Sequence, residues 1–189
     1  MSQKSSMKIR LAADLQSDSI VDGPGIRTVI WTQGCPHNCF GCHNPSTHDF
    51  SGGALVDVLY IKSEIDGLVY QDGITFSGGD PMCQSAACYE IAKYAKELGL
   101  NIWCYTGYTF EQLLELGKKK KSIMDFLSVI DVLVDGKFMM EFRSLDCKYR
   151  GSTNQRLIDV KKSLSSGTVC LVDDNTNVVH FKKSSHLYV

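Results

Sequence analysis

Thr28-Val29-Ile30-Trp31-Thr32-Gln33-Gly34-Cys35-Pro36-His37-Asn38-Cys39-Phe40-Gly41-Cys42-His43-Asn44-Pro45 runs from a β-branched and aromatic segment into a loop carrying three of the chain's eight cysteines, spaced Cys-x3-Cys-x2-Cys. The first part has the composition of a strand. Thiolates crowded this closely repel one another and cannot all pair as disulfides, so a cation or cluster that neutralises them is the plain physical reason for their density. Three ligands are one short of the four that a closed tetrahedral zinc site or a fully ligated cubic cluster takes. Cys83 lies far along the chain, and His37 and His43 sit inside the motif, so a zinc knuckle completed by one of these stays open. A cluster held by three cysteines keeps one iron open to an external ligand, as a catalytic metal keeps a free position. The loop therefore hints at catalysis.

Before this stretch, residues 1–7 read as a disordered lead, residues 8–15 as a first strand, and Asp22-Gly23-Pro24-Gly25 as a turn. After it, Leu55, Val58, Leu59 and Ile65 approximate one helical face across residues 54–65. Gly73-Ile74-Thr75-Phe76 is a second strand, ending at Ser77-Gly78-Gly79-Asp80-Pro81. Ala87, Ile91, Tyr94, Ala95 and Leu98 recur at helical spacing, with Gly99 as the stop. Asn101-Ile102-Trp103-Cys104-Tyr105 is a third strand, ending at Thr106-Gly107, and Thr109-Phe110-Glu111-Gln112 is a capping-box pattern that starts another helix. A lysine run over 118–121 reads as a solvated helix end, followed by a helical turn over 122–128 and a fourth strand over 129–134 closed by Asp135-Gly136-Lys137. Residues 141–167 show no clear period, while 168–172 and 178–182 suggest a hairpin.

Strand and helix alternate four times, which implies an α/β fold with mostly parallel strands and right-handed helical crossovers. In such sheets ligands gather at the carboxyl ends of the strands. Residues 34–43, 77–80, 105–107 and 135–137 each fall at such an end.

The length, 189 residues, suits a single domain with a real core. A formal net charge of −1 gives no electrostatic reason to expect nucleic acid or an anionic membrane as partner. No apolar run approaches the roughly 20 residues of a membrane span, and the polar, basic start lacks the apolar core of a secretory signal. A cytoplasmic location is expected, where eight cysteines read as thiols or metal ligands more than as disulfides.

The cysteine spacing is that of radical S-adenosylmethionine (SAM) enzymes, and the text around it, Asp22-Gly23-Pro24-Gly25-Ile26-Arg27, Gln33-Gly34-Cys35 and Cys42-His43-Asn44-Pro45, resembles the activases of glycyl-radical enzymes. Arg150-Gly151-Ser152-Thr153-Asn154-Gln155-Arg156 resembles a late motif of the anaerobic (class III) ribonucleotide reductase activases and is less like the pyruvate formate-lyase activases. The resemblance covers about residues 20–159 and implies one radical SAM domain, built as a partial, open (βα) barrel. It implies a [4Fe–4S] cluster on Cys35, Cys39 and Cys42 whose open iron is chelated by SAM. One-electron cleavage would then give a 5′-deoxyadenosyl radical that takes a hydrogen atom from a glycine of anaerobic ribonucleoside-triphosphate reductase, with a reductant such as flavodoxin. Activation of another glycyl-radical enzyme, such as pyruvate formate-lyase, is the alternative, and a small zinc- or cluster-binding protein is the non-enzymatic one.

The same resemblance sets Gly41, Cys42 and His43 beside the SAM adenine. It likens Ser77 to Pro81 to the family's Gly-Gly-Glu element, in which Gly78 and Gly79 admit a ligand close to backbone and Asp80 replaces a glutamate one methylene longer. Thr106 and Lys137 are candidate SAM or substrate contacts, Lys137 through the SAM carboxylate with Asp135 orienting it; a solvated rim is the bland reading of both. Asp22 and Arg27 read equally as a surface charge and a turn residue. Cys83, Cys88, Cys104, Cys147 and Cys170 read as buried or half-buried small hydrophobes.

Overall fold

A computed structural model describes residues 6–172. The chain forms strands β1 (Lys8–Leu11), β2 (Gln16–Ser19), β3 (Arg27–Thr32) and β4 (Ala54–Asp57), then helix α1 (Val58–Asp66) and strand β5 (Gly73–Gly78). Helix α2 (Ser85–Glu97), strand β6 (Asn101–Tyr105), helices α3 (Phe110–Gly117) and α4 (Lys121–Leu127), strands β7 (Val132–Asp135) and β8 (Arg156–Asp159), and helix α5 (Val160–Ser166) follow. All eight strands belong to one sheet of order β4-β1-β3-β5-β6-β7-β8, with β2 paired to β3. The central strands β3, β5, β6 and β7 are parallel neighbours, as the alternation of elements predicts. Antiparallel strands flank them, β1 on β3 and β8 on β7, and the sheet does not close. Among the described residues no helix is long and apolar enough to cross a membrane.

The central strands are buried nearly throughout because both of their faces are covered. Successive side chains point to opposite faces. Ile102 and Cys104 of β6 join the large core that also holds Ile61, Ile91, Leu113 and Phe126 from the helices, where Phe76 and Phe126 meet edge to face at 5.2 Å. Trp103 of the same strand joins Val134 and Leu157 in a small cluster on the other face. Arg27 lies on that second face, only 1 % exposed, with its guanidinium 5.6 Å from the Trp103 ring centroid. It donates to Thr75 Oγ1 (2.6 Å), the Ile74 carbonyl (2.8 Å) and the Asn101 carbonyl (3.1 Å), and burial brings its pKa down to about 10. Reading Arg27 as a turn residue is therefore corrected. It is an interior cation that ties the starts of β3, β5 and β6 together through neutral acceptors.

The capping box forms as read, with Thr109 Oγ1 accepting from Gln112 N and Gln112 Oε1 accepting from Thr109 N. Gly99 ends the second helix region at φ +81°. The helical reading of residues 54–65 is half corrected: Asp57 caps the helix by accepting from Leu59 N, so the preceding four residues are free to pair as β4 with β1. Leu55, counted on the helical face, is an exposed strand residue. The fourth strand begins at Val132, three residues later than read, because Val129 and Ile130 close the turn after α4. Residues 168–172 make one isolated bridge, Leu171 to Ile158, and the second hairpin arm at 178–182 lies outside the described residues, as does most of the 1–7 lead.

Candidate functional site

The carboxyl ends of β3, β5, β6 and β7 open onto a cavity of about 640 Å³, within the size range of small-molecule sites. Each of the four segments singled out in the sequence reaches its wall. The cysteine loop supplies Cys35, Cys39 and Cys42 with His37 and His43; β5 ends in Ser77, Gly78, Gly79 and Asp80; β6 ends in Tyr105, Thr106 and Gly107; β7 contributes Gly136. The late loop closes the wall with Tyr149, Arg150, Gly151 and Gln155.

Asp80 is the hub. Its carboxylate is 1 % exposed and accepts from His37 Nε2 (2.6 Å), Thr106 Oγ1 (2.9 Å to Oδ2), Gly107 N (3.1 Å) and Met82 N (3.0 Å). His37 is held from its other side by Tyr108, edge to face at 4.5 Å. The cysteine loop is thereby fastened to the ends of β5 and β6 through one buried carboxylate. The sequence offered His37 only as a spare metal ligand, and the structure turns its Nε2 to Asp80 instead.

The glycines beside it have a packing reason. A Cβ on Gly79 would lie 2.5 Å from the Gly34 carbonyl oxygen, and one on Gly78, at φ +93°, would lie 2.6 Å from that of Thr32. Gly79 N donates to Thr32 O and Asp80 N to Gly34 O, so the β5 end runs directly against the strand that carries the cysteines. These residues bring two backbones together, and both still line the cavity.

At the β7 end, two motifs that look separate in the sequence form one latch. Arg156 donates to Asp135 (2.9 and 2.5 Å) and to Glu111 (2.8 Å), and Asp135 also caps α3 by accepting from Phe110 N (2.8 Å). Asn154 donates to the Lys137 carbonyl (2.8 Å) and Gln155 to the Gly136 carbonyl (3.1 Å), while Gln155 Oε1 accepts from Gly151 N (2.9 Å). The reading that Asp135 orients Lys137 is corrected, since Arg156 and the start of α3 take that carboxylate. Lys137 is exposed and off the cavity wall, although its charge reaches Cys39, where it offsets a small part of the rise that burial imposes on that thiol. Gly41 also lies off the wall, packed against Met140 and Phe138. His43 is on the wall with its ring 4.9 Å from Phe138, and Gly151 packs beside both.

All eight cysteines are free thiols, with Cys88 and Cys104 buried and Cys83, Cys147 and Cys170 half-buried. Burial pushes the Cys35 and Cys39 thiols above the ordinary value. Among the described residues no three His, Cys, Asp or Glu side chains converge as a single-ion site. Two features fit a larger sulfur-bound group in the cavity. One is the donor set itself, three thiols on one wall; the other is His48, on the same wall, whose Nε2 is buried without a hydrogen-bond partner. No signal in the sequence marks His48.

Residues 21–158 match the family described as a 4Fe-4S single cluster domain. The chain is 35 % identical over 144 residues to the anaerobic ribonucleoside-triphosphate reductase-activating protein of Vibrio cholerae, covering 72 % of this chain and 89 % of that protein. It is 34 % identical over 148 residues to the protein of the same name from Enterobacteria phage T4, covering 72 % and 86 %. Among solved structures, QueE from Escherichia coli overlaps 55 % of this chain and 54 % of its own, with a TM-score of 0.45 and 14 % identity.

Proposed function

Because the chain belongs to the family of anaerobic ribonucleoside-triphosphate reductase-activating proteins, we propose that it is a radical SAM activase that installs a glycyl radical on such a reductase. The observation that carries this reading is the meeting of Cys35, Cys39 and Cys42 with the ends of three further parallel strands around one cavity. In this reading the four-stranded parallel core with its antiparallel flanks is a single domain built as an open (βα) barrel.

Cys35, Cys39 and Cys42 would hold the [4Fe–4S] cluster, and the cavity beside them would take SAM. When bound, the pair would supply one-electron cleavage of the SAM sulfonium and, through it, hydrogen-atom abstraction from a glycine Cα of the partner. The chain's own part is placement. The backbone of Gly78 and Gly79 is better set to receive the SAM ammonium than the Asp80 side chain, whose two oxygens already accept from His37, Thr106, Gly107 and Met82. Asp80 and Thr106 thus act as supports of the site. His43 and Cys42, both on the cavity wall, border the adenine side, while Gly41 shapes the loop behind them and Lys137, off the wall, contributes only its positive charge. A low-potential donor such as flavodoxin supplies the electron, and the protein works in the cytoplasm.

The test is anoxic reconstitution followed by dithionite reduction with SAM, alone and with the reductase. The expected results are 5′-deoxyadenosine and, with the reductase, a glycyl doublet in the electron paramagnetic resonance (EPR) spectrum. Zinc in place of iron with no 5′-deoxyadenosine would remove the enzyme reading. A doublet on pyruvate formate-lyase but none on the reductase would change the substrate.

A further inference from the structure

Among the described residues three histidines line the cavity, and their ring nitrogens meet different fates. His37 is engaged by Asp80, and His43 is exposed to water. His48 is half-buried, and its Nε2 is shut off from water with no hydrogen-bond partner among the described residues. A buried polar nitrogen left unpaired is destabilising, and such atoms in a folded protein need a specific reason. The hydrogen bonds that hold this position run through its backbone, from His48 N to Pro45 O and from Cys35 N to His48 O.

That backbone stands against the start of the cysteine loop. Gly34 N donates to Thr47 O (2.8 Å) and Cys35 N to His48 O (3.1 Å), a two-bond pairing that sets His48 beside Cys35. Asn44 N lies 3.4 Å from Cys42 Sγ, so the same short segment already directs one donor at a ligand sulfur. We propose that His48 Nε2–H is a second such donor, a positioning and tuning residue that hydrogen-bonds the sulfur shell of the bound cluster on its Cys35 side. The inference rests on the reading of this cavity as a cluster site. Its physical consequence is defined: a hydrogen bond to thiolate or sulfide withdraws charge from sulfur, favours the reduced cluster and raises its reduction potential.

The experiment is a redox titration of the reconstituted cluster without SAM, followed by EPR, in the parent protein, His48→Phe and His48→Gln. Phenylalanine keeps the ring shape and removes the donor, whereas glutamine carries an amide N–H at a similar distance from the backbone. The expected result is a more negative midpoint potential in His48→Phe, with His48→Gln close to the parent. Iron and sulfide content of the parent is measured first, so the two readings fail separately: a parent without a four-iron cluster overturns the functional reading. A loaded His48→Phe with the parent's potential overturns the role of His48. Equal shifts in both variants, or loss of the cluster from both, would overturn it too, by making His48 a residue of the loop's fold. An unchanged potential with weakened SAM binding would assign the nitrogen to SAM.

Discussion

His37 Nε2 lies 2.6 Å from Asp80 Oδ2, and this contact joins the cysteine loop to the end of β5. The two residues are far apart in the chain, and both side chains are almost fully withdrawn from water. A carboxylate buried this deeply is tolerated because four donors, His37, the adjacent pair Thr106 and Gly107, and the nearby Met82 N, converge on its two oxygens.

Truncating the hub removes those acceptors and leaves the donors buried. Asp80→Ala is expected to destabilise the fold by about 3 kcal/mol, read as a lower denaturant midpoint at unchanged slope. Asp80→Asn keeps one acceptor oxygen and should recover part of that loss while loosening the cysteine loop, read as faster loss of iron on chelation. A fully stable Asp80→Ala protein would show that the clasp is not what holds the loop.

How far the sequence reveals this site depends on the range of each interaction. The parallel strands and the four strand-end segments follow from local periodicity and turn chemistry, and they reach the cavity wall where expected. Asp80 was legible as a site residue, but its partners were not, because no local pattern pairs it with His37 or Thr106. The same holds for β8, whose short run Arg156–Asp159 has no period of its own and becomes a strand by pairing with β7. The motif at 150–156 carried a family likeness, yet its polar side chains serve the Asp135-Gly136-Lys137 turn. Arg27 shows the opposite failure: a residue type that is almost always exposed lies in the interior because neighbouring carbonyls were placed to receive it.

Removing that interior cation should be costly. Arg27→Ala leaves Thr75 Oγ1, the Asn101 side-chain oxygen and three backbone carbonyls without this donor and opens a gap under Trp103, for an expected loss of about 3 kcal/mol. Arg27→Met, which keeps the stem without the charge, should lose less. Thermal or denaturant unfolding checks both. Equal stability of parent and Arg27→Ala would mean that the buried charge costs as much as its bonds return.

Acid should weaken the latch at the β7 end. Arg156 holds the Glu111 carboxyl down at about 2, against an ordinary 4.5. A depressed carboxylate contributes stability that is complete above the unfolded-state value and is lost as pH falls through the folded one, so the loss belongs between pH 4.5 and about 2. The Glu111 side chain is 57 % exposed, so solvent screening limits the contribution to about 1 kcal/mol or less. Glu111→Gln should therefore flatten the acid limb of a stability–pH profile over that window while changing neutral-pH stability little. An unchanged acid limb would show that Asp135 alone carries the Arg156 pairing.

The cysteines separate ligand from bystander. Cys42 lines the cavity and receives Asn44 N at its sulfur, whereas Cys170 is half-buried beside α5, its backbone paired with Ser163 and Asp159. Cys42→Ala should lose four-iron absorbance and all SAM cleavage, because two remaining thiols do not hold a cubic cluster against dilution or chelation. Cys170→Ala should retain both, since among the described residues its sulfur hydrogen-bonds only with Ser166 and Thr168. Iron content, the visible spectrum and 5′-deoxyadenosine yield measure the difference. Equal cleavage by the two variants would remove Cys42 from the ligand set, and with it the reading that three cysteines leave one iron open.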